Sequence, residues 1–221
     1  MSETLEELPL FPLNAVIFPY AALQLHIFED RYREMVRTCL EFDRPFGIVL
    51  IRSGSETGTA DPYMVGTAVR ITRVHNYDDG RMDIDVQGER RFRIRQLDET
   101  HSYLVGHVEP VVEHEIEDSP RANQLISQAK EEFENLMRRF FSRQEFNVQV
   151  VFPPDPVALS FTIANLIHMD NLDKQRLLET TDTLERVQEL IPILQMQSME
   201  AAAPSYYKIS STDLQEWVNV N

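Results

Sequence analysis

Two aspartates spaced two residues apart are the first candidates for chemistry. Asp83 and Asp85 stand in "RMDIDVQGERRFRIR", and a carboxylate pair can supply a general acid and base when one pKa is raised. The apolar residues alternate here, and they predict a β-hairpin that turns at Gly88 and sets the aspartates against Arg93 and Arg95. An arginine partner lowers a carboxyl pKa, so we predict no acid–base catalysis at this pair.

Histidines beside glutamates could supply nitrogen and oxygen ligands to a metal ion. His107 precedes Glu109 by two positions, and residues 113–115 read Glu-His-Glu. A third ligand is not visible nearby, so we expect an ordinary acidic strand and no metal. The chain has one cysteine, Cys39, which excludes cysteine zinc clusters and falls on the apolar stripe of a helix, where we expect a core residue.

Interleaved arginine and phenylalanine in "ERRFRIR", residues 89–95, is the one pattern that could bind nucleic acid. The cross-strand partners expected for these arginines make it a weak candidate. Other signatures are missing: the sequence has no Gly-Lys dipeptide, and none of the motifs G-x-G-x-x-G, G-x-S-x-G or H-E-x-x-H.

Composition narrows the function classes further. The chain has 221 residues, of which 43% are apolar, and a net charge of −15. Its length fits one large domain or two small ones. The negative charge disfavours non-specific binding to nucleic acid or to an anionic membrane surface. A lone cysteine gives no sign of an oxidising compartment, so we expect a cytoplasmic protein.

The stretch "LPLFPLNAVIFPYAALQLHIF", residues 8–28, has 21 residues without a formal charge. That is long enough for a helix to cross a bilayer. Pro9, Pro12 and Pro19 make a membrane helix implausible. Glutamates precede the stretch where an export signal carries basic residues. We therefore interpret it as core strands joined by a proline turn.

The elements that must position these residues form two groups, which together indicate an α+β fold. The first group is β-rich: strands are predicted at 23–28, 46–51, 66–77, 81–87 and 103–112, with a turn at Gly80 and a helix at 30–42. The second group is helical, with starts predicted at 119–120, 155–156 and 181–182, a short helix in "LDKQRLLE", and a kink or break at Pro192. The predicted domains are 1–117, a β-rich domain; 118–200, a helical bundle; and 201–221, a C-terminal tail.

These pieces, in this order, resemble the N-terminal domain of the Lon protease family. The resemblance rests on "LPLFPLNAVIFPYAALQLHIFEDRYREMV", "GTAVRI", "DDGRMDIDVQGERRFRIR", "YLVGHVEP", "PVALSFTIANLI" and "DKQRLLETTDTLERVQELIPIL". It covers about residues 8–197. Tyr20 stands where the family commonly has glycine, and Gln24 where it commonly has proline. Both departures concern the bend between the first two strands.

The resemblance implies a PUA-like β-barrel followed by an α-helical bundle. In full-length Lon enzymes this unit recognises substrate, and ATPase and Ser-Lys protease modules follow it. We therefore expect a free-standing, non-enzymatic protein-binding module without catalytic residues or cofactor. Its expected partners are unfolded or specific client proteins, with a separate Lon-type protease as a further candidate and with no nucleic acid or membrane. The alternatives are an ATP-independent hydrolase with an unrecognised site and an RNA-binding PUA-like protein.

Three surfaces are candidates for client contact. One is the cleft between barrel and bundle near 113–120. Another is the rim after strand 23–28, where four charged residues open the first helix, although a solvated helix start is the simpler explanation of these charges. They are Glu29, Asp30, Arg31 and Glu34. The third is the aromatic part of the tail, which could equally pack back onto the bundle: Tyr206, Tyr207 and Trp217.

Overall fold

The computed structural model of the chain describes residues 5–58, 60–141, 148–201 and 218–220. In chain order, its elements are β1 (Glu6–Leu13), β2 (Ala22–Ile27), α1 (Asp30–Glu41), β3 (Phe46–Gly54), β4 (Ala60–Pro62), β5 (Val65–Asn76), β6 (Met82–Asp98), β7 (Val105–Pro110), α2 (Pro120–Phe141), β8 (Val148–Val150), α3 (Pro156–Leu166), α4 (Asn171–Glu179), α5 (Thr183–Ala201) and β9 (Val218–Val220). This mixture of strands and helices confirms the predicted α+β class.

The chain divides into two compact units. The first contains the described residues up to Val112 together with Met169–Glu179, and the second contains Glu113–His168 and the described residues from Thr180 onward. All the strands of the large sheet and the helices α1 and α4 therefore belong to the first unit. The second unit contains α2, α3, α5 and the short pair formed by β8 and β9.

The strands of the first unit form a circuit of backbone pairing. β1 pairs with β3 in parallel and with β7 in antiparallel fashion. β3 pairs with β5, β5 with β6, and β6 with β7, all antiparallel. The path thus returns to β1. β4 adds to β3, and β2 adds to the first half of β6.

Period-two alternation places the core inside this circuit. On β2, Leu25 and Ile27 are buried, whereas Gln24 and His26 are exposed, as the alternation of the sequence predicts. Helix α1 covers the same core with the predicted stripe of Tyr32, Met35, Val36 and Cys39. Leu40, also expected on that stripe, is 45% exposed, because it lies at the stripe's edge near the helix end.

The two glycines of the predicted hairpins behave differently. Gly80 has a φ of +85° and turns the chain between β5 and β6, where Asn76 faces Met82, so this turn is confirmed. The hairpin at Gly88 is wrong. β6 runs without interruption for 17 residues, from Met82 to Asp98.

Gly88 instead serves a close approach of two backbones. A Cβ at this position would lie 2.3 Å from the carbonyl oxygen of Phe18. The amide of Gly88 donates to Ala21, at 2.8 Å, and its carbonyl accepts from Tyr20, also at 2.8 Å. Glycine inside a strand marks such an approach as readily as a turn. The connection from β1 to β2 therefore packs against the middle of β6.

Tyr20, the residue that replaces the commonly found glycine, has a φ of +69°. That left-handed backbone conformation suits glycine and costs a side-chain-bearing residue about 1–2 kcal/mol. Two hydrogen bonds hold Tyr20 in this conformation. One is the backbone bond to Gly88, and the other is donated by the Gln87 side-chain amide to the Tyr20 carbonyl at 2.9 Å. The bend before β2 is thus fixed by β6.

Helix α4 was predicted within the helical bundle, but it groups with the first unit. Two buried polar side chains explain the difference. The Gln175 amide donates to the Val65 carbonyl at 3.0 Å, and the Arg91 guanidinium donates to the Leu178 carbonyl at 2.6 Å. These bonds attach the helix to β5 and β6, and a hydrophobic pattern alone does not reveal them.

The helices of the second unit begin where the capping residues predict. Ser119 accepts from Ala122 at 3.1 Å, and Asp155 accepts from Ala158 at 2.9 Å. Asp182 accepts the amides of residues 184 and 185. These bonds satisfy amides that have no partner inside a helix. α3 is buried on nearly every side, as its apolar run predicts, and α5 continues through Pro192 without division.

Arg186 is the largest fully buried side chain of this unit. Its guanidinium pairs with Glu113 at 3.1 Å, donates to the Thr180 carbonyl at 2.6 Å and to the Ser160 hydroxyl at 2.8 Å, and lies 3.9 Å from the centre of the Phe161 ring. Burial lowers the pKa of Arg186, and the Glu113 carboxylate opposes that shift. One arginine thus joins the segment after β7 to α3 and α5.

We predict that Gly88→Ala destabilises the protein by about 2 kcal/mol or more, because the added methyl group must displace the Phe18 carbonyl. Urea unfolding followed by circular dichroism measures the change. Gly58→Ala is the control, since its Cβ would meet only the side-chain oxygen of exposed Ser55. An unchanged urea midpoint for Gly88→Ala would contradict the close approach.

We predict that Arg186→Met lowers the free energy of unfolding by about 3 kcal/mol, because it removes the bonds of the buried guanidinium to Glu113, Thr180 and Ser160. Arg138→Met removes an exposed i,i+4 pair with Glu134 from the same unit and should cost less than about 0.5 kcal/mol. Equal costs for the two variants in urea unfolding would show that the buried network contributes nothing special.

Candidate functional site: a groove beside strand β2

A groove of about 190 Å³ lies in the first unit between the end of β1 and strand β2. The start of α1 and the loop before β4 complete its wall. Its lining residues are Phe11, Pro12, Leu13, Gln24, Leu25, His26, Ile27, Phe28, Glu29, Tyr32, Glu56 and Thr57. The floor is apolar, and the rim carries the two carboxylates and a histidine.

Strand pairing explains why a groove exists here. β6 has β2 beside the residues of its first half and β7 beside those of its second half. β1 pairs with β7 only through residues 6–9. Within the described residues, no backbone pairing joins residues 11–13 of β1 to β2, whose one partner strand is β6. The first half of β1 is therefore paired with β7, whereas its second half leaves a gap beside β2, which we call the seam.

Pro12 helps to keep this seam open. The Leu10 amide donates to the Leu104 carbonyl at 2.8 Å, so Leu10 faces the side of β1 on which β7 lies. Backbone groups alternate in direction along a strand, so residue 12 faces the same side. Proline has no N–H to donate. β1 thus lacks a donor at the point where β2 would have to pair.

Aromatic rings form the floor and one lip of the groove. The Phe11 and Tyr32 rings are 4.2 Å apart, and both side chains are buried. Phe28 projects from the lip and is 53% exposed, with its ring stacked 6.1 Å from that of His26. An exposed aromatic side chain beside an apolar floor is typical of a surface that binds protein segments.

Arg31 fixes the wall of the groove. Its guanidinium pairs with Glu29 at 3.0 Å and donates to the backbone carbonyls of Glu56, at 2.8 Å, and Gly58, at 3.3 Å. It also lies 4.5 Å from the centre of the Tyr32 ring. The loop before β4 is therefore tied to the start of α1. Arg31 positions the wall, and its own donors are largely occupied.

The four charged residues predicted at this rim do not form one cluster. Glu29 lines the groove and Arg31 supports it. The Asp30 side chain is 93% exposed and pairs with Arg33, and Glu34 accepts from the Ser102 hydroxyl on another side of α1. The structure thus brings Glu29 and Arg31 together and separates them from Asp30 and Glu34.

The other predicted contact residues, Tyr206, Tyr207 and Trp217, lie outside the described residues. Sequence reasoning missed the groove's apolar lining, because it treated the uncharged stretch 8–28 as core alone. Pro12 was the signal that could have found it, since proline within a strand indicates an edge.

The carboxylate pair has different partners from those predicted. Asp83 accepts from the Tyr77 hydroxyl and from the His26 imidazole at 2.6 Å, while Arg95 pairs with Glu109. The predicted arginine partners are wrong because β6 does not fold back at Gly88. Hydrogen bonds from Tyr77 and then from His26 lower the pKa of Asp83. The predicted direction of the shift therefore holds, and it does not suit a general acid.

Three of the four arginines of "ERRFRIR" are engaged within the first unit. Arg90 pairs with Glu6, and Arg91 is buried against the end of α4. Arg95 pairs with Glu109. A row of arginines with internal partners has few donors left for phosphates, so the structure gives no support to nucleic-acid binding there.

The remaining reactive candidates also have structural roles. Glu113 pairs with Arg186, and His114 contacts the Thr181 hydroxyl at 3.3 Å. In the part of the chain that the structure describes, no three His, Cys, Asp or Glu side chains are grouped so as to hold a metal ion. Burial raises the pKa of Cys39 to about 11, so its thiol stays protonated at neutral pH.

None of the described helices has the length and apolar character needed to span a bilayer.

Comparison with known proteins places this geometry in a family. Residues 7–196 match the family model described as the ATP-dependent protease La (LON) substrate-binding domain. A Lon protease of Desulfovibrio desulfuricans is 30% identical over 189 residues, which cover 82% of this chain and 21% of the relative. The curated relatives are much longer, and the chain spans between a fifth and a quarter of the length of those it matches.

Two solved structures are similar to the fold. A Lon N-terminal domain protein from Xanthomonas campestris has a TM-score of 0.62 and 26% identity, and the match covers 85% of this chain and 98% of that one. The N-terminal domain of a Mycobacterium avium complex Lon protease has a TM-score of 0.64 and 21% identity, and the match covers 86% of this chain and 98% of that one. At this identity the second match supports the fold alone. The chain belongs to the LON substrate-binding domain family.

Proposed function

We propose that this protein is a non-catalytic module that binds exposed segments of client proteins in the groove beside β2. The observation that carries the proposal is the match of residues 7–196 to a substrate-binding domain. The groove supports it with an apolar floor and an exposed aromatic lip, Phe28. The proposed clients are unfolded or specific proteins, because apolar side chains that folded proteins bury gain free energy when they leave water for an apolar floor.

We also assign the first unit to a PUA-like barrel and the second to a helical bundle. The circuit of pairing that returns to β1 supports the barrel, and the apolar α3 packed with α5 supports the bundle. We place the protein in the cytoplasm, since its relatives are bacterial Lon proteases. A separate Lon-type protease is the partner to which it would deliver clients.

We predict that Phe28→Ser weakens binding of a permanently unfolded probe, reduced and carboxamidomethylated α-lactalbumin, by about fivefold to tenfold, a loss of about 1 kcal/mol. Fluorescence anisotropy with labelled probe measures the affinity. The matched control is Phe42→Ser, because Phe42 is 61% exposed, lies at the other end of α1 and is absent from the groove lining.

Equal weakening by the two serine variants would mean that general surface hydrophobicity, and not the groove, binds the probe. Turnover of casein by the purified protein without ATP would contradict the non-catalytic assignment and favour a hydrolase. Binding that falls steeply with added salt, for an RNA probe but not for the unfolded protein, would favour the RNA-binding alternative.

A further inference from the structure

The groove has one property that a simple apolar pocket lacks, because one of its walls is the free edge of a β-strand. β2 pairs with β6 through Ala22–Ile27. Within the described residues, its other edge has no strand partner. Unpaired backbone groups in a row form a template onto which another extended chain can pair. That edge and the apolar floor lie in the same groove.

We infer that a client segment binds as an extended strand added to the free edge of β2. This inference rests on the proposed function and specifies the conformation and chemistry of the client. Backbone hydrogen bonds to β2 would supply affinity for many sequences, and alternate side chains would select among them. One set would enter the groove over Phe11 and Leu13, and the other would point away from it.

The side chains that enter the groove should be apolar. Phe11, Leu25 and Ile27 are buried beneath it, and Phe28 forms its exposed lip. The volume of about 190 Å³ is below the range of roughly 300–1,000 Å³ of pockets that enclose whole small ligands. It suits one or two apolar side chains of a chain that passes along the edge.

The side chains between the apolar ones should be basic. These side chains point away from the floor and pass the rim, where the charged lining groups are the carboxylates of Glu29 and Glu56; no lysine or arginine is among the lining residues. Glu29 is paired with Arg31, whereas Glu56 accepts a bond from the uncharged Asn14 amide. On the outward face of β2, Gln24 and His26 are bonded to Asp85 and Asp83 of β6. Arg73 pairs with Asp85 at 3.5 Å, so within the described residues these two carboxylates have one arginine between them.

A second copy of this chain is a poorer occupant. Each chain has a net charge of −15, so pairing of two β2 edges would bring like charges together. A basic, extended segment of another protein would instead be attracted by the negative charge of this chain. The geometry therefore points to client segments in which basic and apolar residues alternate.

Backbone N-methylation tests the pairing directly. The probe is a short, fluorescein-labelled peptide in which lysine alternates with valine and phenylalanine. In one derivative the backbone amide of every lysine is N-methylated. In the other derivative the backbone amide of every valine and phenylalanine is N-methylated. The N–H groups of successive residues point to opposite edges of a strand. Lysine and apolar residues alternate in the peptide, so the two derivatives block opposite edges. The methyl groups leave the side chains and their charges unchanged.

We expect one derivative to bind the intact protein at least about tenfold more weakly than the unmodified peptide, and the other to bind within about twofold of it. Equal affinity of all three peptides, or an equal loss in both derivatives, would overturn strand addition. Phe28→Ser should weaken the unmodified peptide, and Phe42→Ser should not.

The charge requirement is tested by replacing each lysine of the peptide with glutamate. At low salt we expect this peptide to bind at least about tenfold more weakly, and the difference should shrink as salt is added. Equal binding of the two peptides would overturn the basic part of the inference. If carboxamidomethylated α-lactalbumin binds in a Phe28-dependent way and the lysine peptide fails, strand addition is overturned and the proposed function stands. If neither probe binds, the proposed function fails.

Discussion

The close contact between the β1–β2 connection and β6 is the constraint on which the candidate site depends. Only glycine fits at position 88, because the Phe18 carbonyl lies where a Cβ would be. Two backbone bonds of 2.8 Å, to Tyr20 and Ala21, complete the contact. They hold the bend before β2, and β2 then pairs along β6. This contact therefore fixes the position of β2 and of the groove beside it.

The groove itself results from a mismatch between strand lengths. β6 is long enough to pair with two strands on one side, β2 and then β7. β1 follows β7 and does not continue its pairing onto β2, and Pro12 removes the donor that such pairing would need. A closed circuit has no free edges. β2 pairs with β6 outside that circuit, and within the described residues its other edge is unpaired beside an apolar floor. This unpaired edge is the physical basis of the proposed binding.

Much of the fold could be predicted from patterns with a short range in sequence. The stripe of α1, the turn at Gly80 and the capping residues of the helices are local signals, and the structure confirms them. The role of Gly88 could not be read in the same way, because a turn and a close backbone approach use the same residue. Only its contact with Phe18, 70 positions away in the chain, distinguishes them.

The candidate site was harder to predict for the same reason. Glu29 and Arg31 were candidates for client contact from the sequence, with a solvated helix start as the simpler explanation. The sequence could not show that Arg31 is bonded to the carbonyls of the loop before β4. Nor could it show that α4 attaches to the sheet through Gln175 and Arg91. Side-chain bonds to distant backbone groups leave no periodic signal, whereas the family resemblance was carried by the whole order of elements.

The central claim is that client segments bind in the groove between β1 and β2. Nuclear magnetic resonance of the ¹⁵N-labelled protein, titrated with carboxamidomethylated α-lactalbumin, tests it most directly. We predict that the largest amide shift changes fall on residues 11, 13, 24–29, 56 and 57, which line the groove. Changes concentrated in α2, α3 and α5, with these residues unaffected, would contradict it.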